Sequence, residues 1–201
     1  MDLFPIFVCL EGRNVLVVGA GTVGAAKAEG LLRAGAGVHV VAPRATEWVR
    51  SNASEQKLRW HAREFAAEDL EGMFLVVAAT DSPAVNQEIF RAAAARGVLC
   101  NVVDDPEHCD FFYPAVVRRG ALQIAVSTGG MSPALAHRLR VELEEKFRPE
   151  YEEWVEEVGR RRREILLRDL PDSQRRELLE QIASRGAFED FLRRRNLQPE
   201  P

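Results

Sequence analysis

The sequence contains little cysteine. Its three cysteines, Cys9, Cys100 and Cys109, are an odd number among 201 residues and show no CxxC spacing. This pattern argues against a disulfide framework and against a structural zinc site. We therefore expect free thiols in a reducing compartment.

Long apolar runs and a signal peptide are also missing. No segment approaches the roughly 18–20 apolar residues that a bilayer-spanning helix needs. The N-terminal residues MDLFPIFVCLEGRN have neither a basic head nor a small-residue cleavage site. We expect a cytoplasmic protein without a membrane partner.

Basic charge is not in excess. The chain has 27 Lys and Arg against 31 Asp and Glu, a net charge of −4, so it has no general attraction for nucleic acid. The charge is uneven, because residues 118–140, RRGALQIAVSTGGMSPALAHRLR, contain four arginines and no acid. This segment offers a local basic surface to an anionic small molecule.

Apolar runs alternate with helical patterns in the first part of the chain. Continuous apolar runs are typical of strands buried on both faces. The predicted strands are NVLVV (14–18), GVHVVAP (37–43, stopped by Pro43), LRWHARE (58–64), MFLVVAAT (73–80) and VLCNVVDD (98–105), and the predicted helices run from Thr22 to Gly35 and from Ser82 to Gly97. The alternation predicts a parallel sheet with helices on both faces, a Rossmann-like α/β domain over residues 1–113.

The pattern changes after this domain. The residues PAVVRRGALQIAVS predict two strands joined by a tight turn at Arg119-Gly120, and a helix is expected at residues 132–147. After Pro149 the chain is almost entirely helix formers and charged residues. We therefore predict a small strand–helix region at 114–147 and a helical C-terminal domain at 148–201.

A glycine-rich loop joins the first strand to the first helix. Gly19, Gly21 and Gly24 form GxGxxG at this place. The first glycine permits the tight turn, the second lets a pyrophosphate approach the backbone, and the third allows close helix–strand packing. The phosphates then lie on the helix N-terminal amides and on the positive end of the helix dipole. The loop predicts a dinucleotide site.

The end of the second strand usually selects the cofactor. An acid there binds the ribose 2′-hydroxyl of NAD, but this sequence has Ala42, Pro43 and Arg44. Arg44 could accept a 2′-phosphate, lie against the adenine or face water, so the residues leave NAD and NADP open. Thr80 follows the fourth strand, at a carboxyl end where a bound nicotinamide would pass.

Two adjacent acids, Asp104 and Asp105, follow the fifth strand. An Asp before a proline favours a turn, whereas a carboxylate beside a nicotinamide can take the proton that accompanies hydride removal. Successive strand residues face opposite sides, so we expect at most one of the pair to reach a substrate. His108 and Cys109 add ligand types without a recognisable ligand spacing, and we predict no built-in metal site.

A second glycine turn precedes a second helix N-terminus. Its residues are Ser127, Thr128, Gly129 and Gly130, and Ser132 and Pro133 then suit the N-cap and first helical positions. Such a turn either seats a carboxylate or only caps a helix that packs on another subunit. The neighbouring arginines that could bind further carboxylates are Arg118, Arg119, Arg138 and Arg140.

Three separated segments resemble the precorrin-2 dehydrogenase family of sirohaem biosynthesis. They are PIFVCLEGRNVLVVGAGTVGAAKAEGLLRAGAGVHVVAP, VVAATDSPAVNQEI and CNVVDDPEHCDFFYPAVVRRGALQIAVSTGGMSPALAHRLR. The resemblance implies oxidation of the tetrapyrrole precorrin-2 to sirohydrochlorin with NAD⁺. It also implies a homodimer with a Rossmann domain, a central dimerisation region and a helical C-terminal domain. A separate uroporphyrinogen methyltransferase is expected to make the substrate, because the chain is too short to contain one.

The resemblance also assigns roles to residues. It places the important acid at Asp104, the NAD contacts at Thr22, Val23, Pro43 and Arg44, and the family's serine-glycine segment at residues 127–130. We expect Asp104 to accept the proton or orient the macrocycle, and Asp105 to shape the loop. Two other functions stay open: a bifunctional enzyme that also inserts Fe²⁺ into sirohydrochlorin, and a non-catalytic NAD-binding sensor.

Overall fold

The computed structural model describes residues 3–196, in two compact units. One unit ends at Tyr113 and the other begins at Pro114. Across the described residues, no helix combines the length and apolarity needed to cross a bilayer.

The first unit contains a five-stranded parallel sheet. Its strands are β1 (Asn14–Ala20), β2 (Gly37–Ala45), β3 (Arg59–His61), β4 (Leu75–Ala78) and β5 (Leu99–Val102), in the order β3-β2-β1-β4-β5. The helices are α1 (Thr22–Arg33), α2 (Glu47–Ser54) and α3 (Pro83–Arg96), with short 3₁₀ turns at Ala67–Leu70 and Pro106–His108. The strand order reverses beside β1, where ligands bind in open α/β sheets. The predicted Rossmann-like α/β fold is confirmed.

The two faces of β1 carry alternate residues into two separate apolar layers. Val15 and Val17 pack with α1 residues that include Leu31. Leu16 and Val18 pack on the other face, in the layer that contains α3. All four β1 side chains are 3% exposed or less, because a central parallel strand is covered on both sides.

Several predicted boundaries were wrong. Strand β2 runs past Pro43 to Ala45. The pairing with β1 shifts at this point, so that Ala20 pairs with Ala45, and a proline is tolerated where a ladder is irregular. Strands β3, β4 and β5 are shorter than predicted. Helix α2 was not predicted, because it is short and buries only Val49.

The second unit contains an antiparallel hairpin and four helices. The strands are β6 (Ala115–Arg119) and β7 (Leu122–Val126), and the helices are α4 (Pro133–Lys146), α5 (Tyr151–Leu166), α6 (Asp172–Ile182) and α7 (Arg185–Asn196). The hairpin turn is Gly120-Ala121, one residue later than predicted. The guanidinium of Arg119 donates to the carbonyls of Phe147 and Glu144, which ties the hairpin to the end of α4. The boundary at 147/148 stays a prediction.

Candidate functional site

Packing requires glycine at two positions of the GxGxxG motif, Gly19 near the end of β1 and Gly24 in the first turn of α1. A Cβ on Gly19 would lie 2.2 Å from the carbonyl oxygen of Ala79, and Gly19 has a φ of +100°. A Cβ on Gly24 would lie 2.1 Å from the carbonyl oxygen of Gly19. Both distances are far below van der Waals contact, so only glycine fits. The motif is therefore locked between the start of α1 and Ala79, the residue that follows β4.

Gly21 has a different environment. No heavy atom of the described residues lies within 4 Å of a Cβ built on Gly21. Helix α1 begins at the next residue, where the structure shows no side-chain cap on its first amides and no acid in its first turn. Thr22 and Val23 are exposed. The open space and the uncapped amides fit a pyrophosphate.

The end of β2 lies beside the glycine loop. Parallel pairing places Val41 opposite Val18, just before the loop. Pro43 and Arg44 follow and are exposed. Their predicted contact with a dinucleotide stays a prediction, and this strand end offers no carboxylate for a ribose.

Thr80 follows β4 at the same edge of the sheet and is held rigidly. Its hydroxyl lies 2.7 Å from Asn86 Oδ1 and 3.2 Å from the carbonyl of Ser82. The Asn86 amide in turn donates to the Thr80 carbonyl at 3.1 Å. Sequence reasoning missed Asn86. The sequence did contain a signal for Asn86. This residue lies four positions after the N-cap Ser82, so its side-chain amide can reach the residues before the helix.

Asp104 lies in a turn and not in strand β5, which ends at Val102. Its φ is +61° and its side chain is exposed. We expected the alternation of side chains along a strand to separate Asp104 from Asp105. That reason was wrong, because both residues lie beyond the strand, in a turn where Asp104 adopts a left-handed conformation. Asp105 Oδ2 lies 2.8 Å from Nδ1 of His108, and this contact closes the loop, in agreement with the predicted role of Asp105.

The loop after Asp104 is anchored to β5 by polar groups. Asn101 is only 7% exposed, and its amide donates to the Phe111 carbonyl at 2.8 Å. The thiol of Cys109 lies 3.2 Å from the carbonyls of Val102 and Asp105. These contacts fix the backbone on both sides of Asp104. Nowhere in the described part of the chain do three or more His, Cys, Asp or Glu residues form a group that could hold a metal.

The three thiols are expected to react at very different rates. Cys9 is exposed, whereas burial raises the pKa of Cys100 to about 12 and also raises the pKa of Cys109. The thiolate is the reactive form, so a disulfide reagent at about pH 8 should modify Cys9 quickly, Cys109 slowly and Cys100 only after unfolding. A Cys9→Ser variant should lose the fast phase. A fast phase that persists in this variant would contradict the assignment.

The second glycine turn, residues 127–130, lies in the second unit. The hydroxyl of Ser132 accepts a hydrogen bond from the Leu135 amide at 3.2 Å, which confirms the predicted N-cap. The Thr128 hydroxyl accepts from the Ser132 amide at 3.0 Å and lies 3.1 Å from the Ser132 carbonyl. The Ser127 hydroxyl accepts from the Gly129 amide at 3.2 Å and can still donate its own proton. Thr128 therefore shapes the turn, and the contact of residues 127–130 with a substrate stays a prediction.

The four arginines near this turn divide into two pairs. Arg119 is bound to backbone carbonyls and Arg140 pairs with Glu144. The Arg138 side chain is 67% exposed and lies 3.3 Å from Glu142, and Arg118 is exposed. Acids just beyond residue 140 thus neutralise part of the predicted basic surface. Arg118 and Arg138 stay predictions as substrate contacts.

Comparison with known proteins gives independent information. A family model described as "Putative NAD(P)-binding" matches residues 6–115. A second model, "Sirohaem biosynthesis protein central", matches residues 119–146. The first match covers the sheet and the glycine loop, and the second covers the hairpin turn, the second glycine turn and α4.

Relatives and a solved structure agree with these models. The siroheme synthase of Photorhabdus laumondii is 41% identical over 188 residues, which are 94% of this chain and 40% of that protein. The siroheme synthase of Neisseria meningitidis serogroup C is 44% identical over 160 residues, 80% of this chain and 33% of that protein. This chain thus spans about two fifths or less of these relatives.

The solved structure titled "SirC, precorrin-2 dehydrogenase" is 28% identical, with a TM-score of 0.79, and the match covers 96% of this chain and 98% of that one. Its similarity therefore extends over the sheet, the hairpin and the helices together. The chain belongs to the family described as putative NAD(P)-binding, and it continues into the central region of the sirohaem biosynthesis proteins.

Proposed function

We propose that this protein oxidises precorrin-2 to sirohydrochlorin with NAD⁺ in sirohaem biosynthesis. One observation carries the proposal: the chain matches a precorrin-2 dehydrogenase over 98% of that chain's length. The open glycine loop before α1 supports it, because this reaction needs a nicotinamide cofactor. The names of the siroheme synthase relatives agree with the same pathway.

The glycine loop is proposed to hold the cofactor. Gly21, Thr22 and Val23 offer open space and uncapped amides to the pyrophosphate, while Gly19 and Gly24 keep the loop in shape. When bound, the nicotinamide supplies a hydride acceptor. Thr80, fixed by Asn86, is proposed to border the nicotinamide.

The Asp104 carboxylate is proposed to accept the proton that the oxidation releases. Removing two hydrogens from precorrin-2 sends one away as a hydride and the other as a proton, and a positioned carboxylate is a suitable acceptor. The anchored loop holds Asp104 in a fixed turn, and the contact between Asp105 and His108 supports that turn. Asp104 thus acts on the substrate, and Asp105 acts on the loop.

The second unit is proposed to receive the carboxylates of the substrate. Precorrin-2 is a macrocycle with many carboxylate groups, and a protein of net charge −4 needs a local site for them. The hydroxyl of Ser127, the backbone of Gly129 and Gly130, and the guanidinium groups of Arg118 and Arg138 offer donors of the right kind.

We also propose that NAD, and not NADP, is the cofactor, and that the protein is a homodimer. The resemblance to a mostly NAD-linked family favours NAD in spite of Arg44. Helix α4 and the turn before it expose Met131, Leu135 and Val141, and such apolar side chains suit a dimer surface. A uroporphyrinogen methyltransferase is proposed to supply the substrate.

An anaerobic assay with precorrin-2 tests substrate, reaction and cofactor together. We expect NADH formation matched by the appearance of sirohydrochlorin, and a higher kcat/KM for NAD⁺ than for NADP⁺. Omitting precorrin-2 is the control. Binding of NAD⁺ without turnover would contradict the dehydrogenase and favour the sensor.

A further inference from the structure

Asn86 lies in the first part of α3, and its side chain reaches back to the segment that leaves β4. This segment is packed on the glycine motif. A Cβ built on Gly19 would lie 2.2 Å from the carbonyl oxygen of Ala79 and 3.1 Å from the amide nitrogen of Thr80. Asn86 therefore acts on a residue that borders the loop proposed to bind the dinucleotide.

The backbone of Thr80 fixes the orientation of the Asn86 side-chain amide. The Thr80 amide donates to Asn86 Oδ1 at 3.3 Å, and Asn86 Nδ2 donates to the Thr80 carbonyl at 3.1 Å. The opposite orientation would place donor against donor and acceptor against acceptor, so it is excluded. Oδ1 carries only lone pairs and lies 2.7 Å from the Thr80 hydroxyl. The hydroxyl therefore donates its proton to Asn86.

The other contacts of the Thr80 hydroxyl involve Ser82. A hydroxyl has one proton and two lone pairs. The Ser82 carbonyl, at 3.2 Å, is a more distant acceptor for the proton than Asn86 Oδ1, and the Ser82 amide donates to the hydroxyl at 3.3 Å. One lone pair is left over. Because Thr80 is partly exposed, it meets a ligand as a hydrogen-bond acceptor and not as a donor.

We propose that Asn86 is a positioning residue for the cofactor, which holds the Thr80 hydroxyl proton and so presents the free lone pair to the amino group of the nicotinamide carboxamide. This inference deepens the function proposed above and rests on it. A carboxamide has a donor end and an acceptor end. A contact that can only accept distinguishes the two ends, and it thereby restricts the rotation of the nicotinamide ring.

Calorimetric titration with three ligands tests the contact without turnover. NAD⁺ carries the amino group, its acetylpyridine analogue has a methyl group in the same place, and ADP-ribose lacks the ring. The wild type should bind NAD⁺ about 3- to 10-fold more tightly than the analogue, the range of one neutral hydrogen bond. Thr80→Val removes the hydroxyl and should bind both equally, with its affinity for ADP-ribose unchanged. Thr80→Ser keeps the hydroxyl and should retain the preference.

Two variants of Asn86 separate positioning from folding. Asn86→Ala releases the hydroxyl proton, so the preference for NAD⁺ over the analogue should be lost. Asn86→Asp keeps an oxygen for the hydroxyl, so the preference should persist while the added charge weakens the binding of all three anionic ligands. Asn52→Ala, which loses a side-chain hydrogen bond to the Trp48 carbonyl within α2, is the matched control and should leave all three affinities unchanged.

The outcomes distinguish this inference from the proposed function. A preference for NAD⁺ that persists in Thr80→Val would overturn the hydroxyl contact. Equal weakening of all three ligands in Asn86→Ala would reject the positioning role, because a purely structural defect does not discriminate between them. A wild type that binds neither NAD⁺ nor ADP-ribose would reject the cofactor site and this inference together. The expected affinities in a protein that does not oxidise precorrin-2 would support the role of Asn86 and reject only the proposed oxidation.

Discussion

Replacing Asp104 with asparagine is expected to lower kcat for precorrin-2 oxidation by about 10²-fold or more, the usual contribution of a general base. Asparagine keeps the size and polarity of the side chain and removes its charge. The proton released by the oxidation then has no carboxylate acceptor at this place. The rate is measured by NADH formation under anaerobic conditions.

The choice of asparagine follows from the backbone. Asp104 has a φ of +61°, a conformation that Asp and Asn adopt more readily than other residues with side chains. An Asp104→Ala variant would combine loss of the carboxylate with strain of about 1 kcal/mol in the turn. Asp104→Gly separates the two effects, since glycine relieves the strain and still lacks the carboxylate.

Asp105 provides the matched control. Asp105→Asn keeps a group that can bond His108, so its kcat should stay close to that of the wild type. Asp105→Ala removes the contact and should lower the melting temperature more than it lowers kcat. Full activity in Asp104→Asn, or a larger loss in Asp105→Asn, would remove the proposed role of Asp104.

Replacing Gly21 with valine is expected to abolish cofactor binding without harming the fold. The Cβ would project into space that no described atom occupies within 4 Å, so the free energy of unfolding should fall only by the cost of an aliphatic residue at the N-cap of α1, about 1 kcal/mol. The same side chain would fill the place proposed for the pyrophosphate. We expect the Kd for NAD⁺ to rise by about 100-fold or more, since the phosphates lose the helix N-terminal amides.

Gly19→Val should behave in the opposite way. Its Cβ would lie 2.2 Å from a backbone oxygen at a φ of +100°, and backbone overlap of this kind is not relieved by a rotamer change. We expect a loss of about 3 kcal/mol or more in the free energy of unfolding. Thermal unfolding and NAD⁺ titration calorimetry on both variants distinguish the two glycines. If Gly21→Val binds NAD⁺ normally, the proposed cofactor site is wrong.

Local patterns were sufficient to predict the sheet and the glycine loop. A central strand that is buried on both faces must be apolar throughout, so the apolar residues 15–18 were enough to predict β1. The helix signals at Ser82 and Ser132 were equally direct, because an N-cap hydroxyl followed by proline has a local cause. Pro43 misled the prediction, since the irregular pairing that tolerates it depends on Ala20 in a neighbouring strand.

The sequence by itself determined the order of strands and helices, the glycine loop and the two candidate acids, because periodicity, capping and turn chemistry act between residues a few positions apart. The tertiary structure alone decided the rest. It separated Gly21, which faces open space, from Gly19, which lies against Ala79 just after β4. It also paired Arg119 with the carbonyls of Glu144 and Phe147 at the end of α4. It also placed the ammonium group of Lys27 over the ring of Tyr113, which lies 86 positions later in the sequence. Contacts between residues so distant in sequence arise only when the packed layers bring them together.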